Sequence, residues 1–509
     1  MRSRRRFLAV AGATLGAVGL AGCGALPDSD GAGEDGGSGR TTTGDDQIGP
    51  NPGYGAVETT RTEPNAAPPG DPPTGDAVAW SVPVGAPVTA RPVVAGDALF
   101  LGAGEHDGGE RPGVDAELRP RFPGYVHAVG LDGERRFEYA APAPVLDVAP
   151  VAGDDAARRA RDVATGSEDG DASWAASAGR ASGLGAYAVL GWYGGPGGVG
   201  HRLTRVTRGV PRWADATADA NRFVAASTAD AVVTGTRDER VALTGERLTA
   251  RSPGGGYRWR VESGDVLAGT GSGDRVYLTV GTRRTVCLDA RTGETAWSYR
   301  GTAPTWTPRV QGDVVFVARN RRTGSGGHPL VAVDAATGRE RWTFAGRGDA
   351  AFTPRAAVRA PGSTAGTADA VVYAAGTNGG LRAIAGGRQR WRTRLPGRVV
   401  DGPVVAAGTV YATDTRGVLY AVDASTGERA WDVDLGLPSR TLDAGTDGVV
   451  AVAASDGAPD GDAYRVRGYG HDGEERFAHD ATEGVLAAVA RGARGYVVTD
   501  GGHLAAFDR

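Results

Sequence analysis

Lysine is absent from the 509 residues, so all 56 basic residues are arginine. The bias points to a GC-rich genome more than to a mechanism. It also leaves the Gly-rich "GWYGGPGGVGH" around residues 194–198 without the Lys-Ser/Thr that a phosphate cradle requires, and that stretch reads as a hairpin loop. Cysteine is almost absent too, with Cys23 and Cys287 the two copies. If Cys23 carries a lipid, no intramolecular disulfide can form and packing alone must hold the fold. Aromatic residues are 7% of a chain with 83 Gly and 29 Pro, a turn-rich composition. The seven histidines, at 106, 127, 201, 328, 471, 479 and 503, show no metal-ligand spacing.

The N-terminus "MRSRRRFLAVAGATLGAVGLAGC" has a basic start, an apolar run from Phe7 to Leu20 and small residues before Cys23. The run is too short to span a bilayer stably, which is export-signal logic. Arg4 and Arg5 lie in a segment that resembles a twin-arginine signal, and Leu20-Ala21-Gly22-Cys23 resembles a lipobox with Cys23 as the lipid attachment site. Residues 1–22 are read as the signal peptide. Their removal takes away Arg2, Arg4, Arg5 and Arg6 and no acid, so the formal charge moves from −4 to −8. A mildly acidic exported protein is a poor binder of phosphate backbones, which argues against nucleic acid as a partner. Residues 23–76 comprise the lipidated cysteine and a linker rich in Gly, Asp, Thr and Pro, expected to be a flexible tether with an end-to-end distance of roughly 40 Å. The expected location is the outer face of the cytoplasmic membrane.

From residue 77 to 509 the chain repeats. "CLDARTGETAW" (287–297), "AVDAATGRERW" (332–342) and "AVDASTGERAW" (421–431) align without a gap. They place Asp289, Asp334 and Asp423 at a strand end, Gly293, Gly338 and Gly427 in the turn, and Trp297, Trp342 and Trp431 at the start of the next strand. In such a turn Asp accepts hydrogen bonds from backbone N–H groups two or three residues on, and Gly takes the positive φ that reverses the chain. The Trp then covers a neighbouring unit. Worn copies end at Phe137, Trp391 and Phe477, and more degenerate ones at Trp213 and Trp259. Short β-branched runs between Gly, Asp and Thr turns give four antiparallel strands per unit, an all-β propeller. Nine outer strands can be counted, but Trp213 and Trp259 lack the Asp-x-x-Thr-Gly turn. The expectation is therefore eight blades, with seven to nine compatible, and "DAVAWSV" around Trp80 closes the ring by completing the last blade.

These residues resemble the pyrroloquinoline quinone (PQQ)-like β-propeller repeat family, over residues 77–509 and most strongly from about 265 to 435. The resemblance implies either of two activities. Some members are quinoprotein dehydrogenases that bind PQQ and calcium; others bind neither, such as the lipoprotein subunit of the bacterial outer-membrane protein assembly machinery. Fold membership does not choose between them. Alcohol-oxidising members carry two adjacent cysteines, whereas Cys287 stands alone in the slot of Ala332 and Ala421 and reads as a structural thiol. No catalytic, cofactor-binding or metal-binding residue is assigned. The acidic stretches "SEDGDAS" (167–173) and "APDGDAY" (458–464) do not fit an EF-hand and read as solvated loops.

The expected function is a non-catalytic, membrane-anchored scaffold that binds another protein or an envelope component, as a monomer and without a cofactor. A PQQ-dependent oxidoreductase of the sugar-oxidising kind is the alternative. The long interruptions 104–124 and 153–184, the second with a short helix at "DDAARRARDVA", are the expected partner surface. Arg4→Lys with Arg5→Lys should block translocation, seen as loss of the extracytoplasmic form by fractionation. Cys23→Ser should release the protein from membranes; normal export of the double arginine variant would refute the signal assignment.

Overall fold

The computed structural model describes residues 73–508 apart from 74, 85–87, 96, 105–123, 152–184, 194–198, 218–221, 237–246, 263–265, 281–283, 302–307, 320–328, 346–351, 360–369, 377–378, 456–462, 482–483 and 500–501. The signal segment, Arg4, Arg5 and Cys23 therefore lie outside the described residues, as does nearly all of the linker and of the two long interruptions.

Strands dominate because the sequence alternates β-branched runs with Gly and Asp turns and offers no helical period. Among the described residues there are nine four-stranded antiparallel sheets and no helix. Eight consist of consecutive strands: blade 1 (residues 88–141), blade 2 (145–217), blade 3 (222–262), blade 4 (266–300), blade 5 (309–344), blade 6 (352–394), blade 7 (399–434) and blade 8 (439–481). Blade 9 takes three strands from residues 485–507 and its fourth from Val78–Pro83. The first strand of each blade touches the first strand of the next all the way round, and Val485–Arg491 of blade 9 meets Val88–Ala95 of blade 1. The ring is closed.

The count is nine, at the upper end of the expected range, because both suspect units are complete. Trp213 lies in the outermost strand of blade 2, Val210–Thr217, and Trp259 in that of blade 3, Tyr257–Glu262. What differs is the turn before them. At Arg208-Gly209 both residues have positive φ, 51° and 76°, the geometry of a two-residue hairpin whose twist matches its strands. A hairpin of this kind delivers the Trp without an Asp or a Thr.

Burial follows position in the blade. Second strands are buried along nearly their whole length, as in Ala98–Gly104 and Val314–Ala318, because both faces pack against neighbouring blades. Outermost strands alternate, so that in Thr295–Arg300 only Trp297 and Tyr299 are buried. Ring closure rests on Val78–Pro83 pairing antiparallel with His503–Phe507, with Trp80 opposite Ala506 and Pro83 opposite His503. The Asp508 N–H also donates to the Ala77 carbonyl at 3.1 Å.

Every junction between successive blades carries one ring from the outermost strand. At seven junctions the indole lies over a glycine of the next blade's turn: Trp80 on Gly133, Trp213 on Gly255, Trp259 on Gly293, Trp297 on Gly338, Trp342 on Gly387, Trp391 on Gly427 and Trp431 on Gly473. At the other two, Phe137 approaches Gly209 and Phe477 stacks on Phe507 with centroids 5.7 Å apart. A Cβ on Gly427 would stand 2.5 Å from Trp391 Cδ2, and φ there is +77°. Gly427→Ala should therefore destabilise the protein by more than about 1 kcal/mol through strain and collision together. Trp391→Ala should cost about 3 to 5 kcal/mol, as for other buried large aromatics, read from denaturant midpoints.

Candidate functional site

The turn residues of the three clear repeats share one geometry. Asp423 Oδ1 accepts from the N–H groups of Ser425 (2.9 Å) and Thr426 (2.8 Å), while the Gly427 N–H donates to the Asp423 carbonyl at 2.8 Å. Asp289 and Asp334 do the same with Arg291 and Thr292 and with Ala336 and Thr337. The Ser425 hydroxyl first, then the Thr426 N–H, hold the Asp423 carboxyl below the usual range. At Asp334 the Arg341 guanidinium, 2.5 Å away, is the main cause of a value lowered to about 2. These carboxylates are turn formers, each with Oδ1 taken up by its own turn.

The Trp of a repeat packs on the Gly of the next repeat's turn, not on that of its own. Gly427 receives Trp391 from blade 6, whereas Trp431 reaches on to Gly473 of blade 8. Three of these tryptophans also donate forward: Trp259 Nε1 to Ala290 O (3.0 Å), Trp297 Nε1 to Ala335 O (2.9 Å) and Trp391 Nε1 to Ala424 O (2.9 Å), the acceptor each time being the residue after the turn Asp. A tyrosine on the second strand of the same blade converges on the same carbonyl. Tyr277 Oη donates to Ala335 O at 3.4 Å and Tyr373 Oη to Ala424 O at 3.0 Å. Sequence reading missed these tyrosines. Their signal is a lateral row across the sheet, Tyr277–Cys287–Trp297 at a spacing of ten and Tyr373–Ala383–Trp391 at ten and then eight.

Cys287 occupies the small position of that lateral row. Its thiol is fully buried, 3.8 Å from Arg275 Nη1, and burial pushes its pKa up despite that arginine. A protonated, enclosed thiol is not a nucleophile.

Several other buried polar groups are likewise engaged in structure. Asp414 is wholly buried; burial would raise its pKa, but the Arg416 N–H, Tyr420 hydroxyl, Arg416 guanidinium and Val418 N–H together leave it lowered. Its Oδ2 also accepts from the Gly397 N–H at 2.9 Å. On the innermost strands, Asp147 Oδ2 accepts from Val224 N (2.8 Å) and Asp443 Oδ2 from Ala490 N (2.9 Å), each joining one blade to the next. His471, in the degenerate turn of blade 8, sits 2.8 Å from Thr446 O through Nε2, which makes Nε2 the donor. Its Nδ1 thus accepts from the Tyr411 hydroxyl at 2.5 Å. No group of three or more His, Cys, Asp or Glu among the described residues is placed to hold a metal ion.

At the seam between blades 9 and 1, His127 Nε2 donates to Val84 O at 2.9 Å and Arg135 Nη2 to Pro83 O at 2.5 Å, pinning the chain as it leaves the closing strand. Burial, then the Arg135 guanidinium, lower the His127 imidazole to about 4 against the opposing pull of the Val84 hydrogen bond. Glu138, 3.6 Å from Nδ1, is itself held by Arg135 at 2.5 Å. The unfolded chain takes up this proton near pH 6.5 and the folded chain only near 4, so the stabilisation is complete above about pH 7 and lost as pH falls between those values. Acidification from pH 7.5 to 4.5 should cost about 2 to 3 kcal/mol at this residue. His127→Gln, which keeps a donor toward Val84, should flatten that part of the pH dependence of the urea midpoint.

Residues 238–385, 329–469 and 416–509, together more than half of the chain, match the family described as outer membrane protein assembly factor BamB. The structure of BamB from Moraxella catarrhalis is similar at 18% identity and a TM-score of 0.42, covering 64% of this chain and 94% of that one. A quinohemoprotein alcohol dehydrogenase from Pseudomonas putida is similar at 13% identity and a TM-score of 0.37, covering 55% and 64%. A serine/threonine-protein kinase, AfsK of Streptomyces griseus, is 32% identical over 157 residues, 28% of this chain. The chain spans about a fifth of that kinase, 18% of its length. With its repeat turns built as described and more than half its length matched, the chain belongs to the BamB-type family of PQQ-like β-propeller repeats.

Proposed function

We propose that this protein is a non-catalytic scaffold, a rigid propeller held at the outer face of the cytoplasmic membrane through lipidated Cys23 and presenting its surface to another protein. The observation that carries the reading is the employment of the repeated polar and aromatic groups. The turn aspartates, the Trp and Tyr donors and the inner-strand Asp147 and Asp443 all join strand to strand or blade to blade. Cys287 and Asp414 are enclosed in the same way. A ring organised like this offers surface and rigidity rather than a reaction centre, and the description of its family as an assembly factor agrees with such a role. The oxidoreductase alternative would need PQQ and a calcium ion held by several converging oxygen ligands.

Two measurements decide. A photo-crosslinking amino acid at the exposed positions Val210, Tyr257 or Val400 should give discrete protein adducts in intact cells. Incubation of the purified protein with PQQ and Ca²⁺ should give neither quinone binding nor dye reduction with alcohols or sugars. Absence of adducts together with quinone-dependent dye reduction would replace the scaffold reading with an oxidoreductase.

A further inference from the structure

The charge of the sheets is uneven in one place. Between Asp369 and Asp401 the chain has no acidic residue, yet it carries Arg382, Arg388, Arg390, Arg392, Arg394 and Arg398. Four of these stand at every second position of one strand, Arg388–Arg394, the outermost of blade 6. All four are exposed, whereas Trp391 between them is buried against blade 7. The side chains of Arg388, Arg390 and Arg394 make no hydrogen bond or ion pair among the described residues. The corresponding strands elsewhere mix their charges: Arg135, Arg136 and Glu138 in blade 1, Arg429, Asp432 and Asp434 in blade 7, Glu475, Arg476 and Asp480 in blade 8.

We infer that this edge is a docking strand for an extended acidic segment of a partner protein, one that pairs with the open side of Arg388–Arg394 and sets carboxylates opposite its arginines. The inference rests on the scaffold reading and names the chemistry of its partner. Three features select this occupant. The strand is last in its sheet, so one row of its backbone N–H and C=O groups has no strand to pair with, the arrangement an added strand uses. The arginines recur at intervals of two residues, roughly 7 Å in a strand, the spacing of alternate side chains on a peptide lying alongside. The basic stripe is also only one strand wide. Asp432 and Asp434 on the outermost strand of blade 7 are exposed, so a bilayer surface would meet acid as well as base, while a single chain meets only the arginines. Pairing with a second copy of the same edge would set arginine against arginine, which is unfavourable. The charges that forbid self-association thus admit an acidic strand.

The test uses a fluorescein-labelled peptide, Thr-Glu-Val-Glu-Val-Glu-Thr, and fluorescence anisotropy at low salt. Binding should weaken at least tenfold with glutamine in place of each glutamate, and by a similar factor with alternate backbone amides N-methylated to block pairing. The exposed triple substitution Arg388→Gln, Arg390→Gln and Arg394→Gln should weaken it tenfold with an unchanged melting temperature. Equal binding to wild type and variant, or indifference to N-methylation, overturns the proposal. So does binding of phosphatidylglycerol vesicles without binding of the peptide. In the cell crosslinking experiment, a triple variant that keeps every adduct leaves the scaffold reading standing and removes this edge from it. Failure of wild type and variant alike to form adducts counts against the scaffold itself.

Discussion

An indole ring lying flat on a glycine of the next blade is the contact from which the rest of the propeller follows. It needs a turn with no Cβ at one position, a strand that presents a ring at its outer edge and a carbonyl ready to accept the indole N–H. Gly338, Trp297 and Ala335 supply these for blades 4 and 5, and Gly427, Trp391 and Ala424 for blades 6 and 7. A neutral donor engaged across a buried junction contributes about 1 kcal/mol net, while the buried ring contributes several times more. The hydrogen bond thus fixes where the ring sits and the area supplies the cohesion. Because the contact joins neighbours in sequence order, it propagates round the ring without any disulfide.

Much of this was legible in the sequence, for a physical reason. The Asp-x-x-Thr-Gly turn is local, and the three copies that kept it gave away four-stranded units, their order and the closing role of the Trp80 segment. The blade count was harder. Trp213 and Trp259 belong to full sheets, but the turns before them solve the same reversal differently, with Arg208-Gly209 at positive φ in one case. Turn chemistry tolerates several solutions, so a repeat defined by its turn undercounts its units. The glycine under each ring escaped the sequence because it belongs to the following blade, some 40 residues from its Trp in the Trp391–Gly427 and Trp297–Gly338 pairs.

The polar interior was the least legible part. Nothing around Asp414 announces that Gly397 and Tyr420 will close over it, and the neutral His127 depends on Val84, more than 40 positions earlier. Such groups look in sequence like candidate acids, bases or ligands, and in the fold they are joints. Their satisfaction explains why they carry structure: a buried carboxylate that already accepts three backbone N–H groups and a tyrosine hydroxyl has little left to offer a substrate. The outermost strand of blade 6 shows the opposite imbalance, with the side chains of Arg388, Arg390 and Arg394 unpaired among the described residues.

The closing strand has a consequence in time. Pro83 and His503 are paired neighbours, yet 420 residues separate them. Bringing the ends of such a chain together carries an entropic cost of about 5 kcal/mol from length alone, but successive blades stacking in order shorten the span that remains open. The first strand of the ring to leave the ribosome is therefore among the last to find its partner. Until His503–Phe507 arrives, blade 9 has no strand to receive Val78–Pro83, and blade 1 presents an unsealed flank. In a propeller built this way the sealing of one seam is what separates a finished ring from an unfinished one.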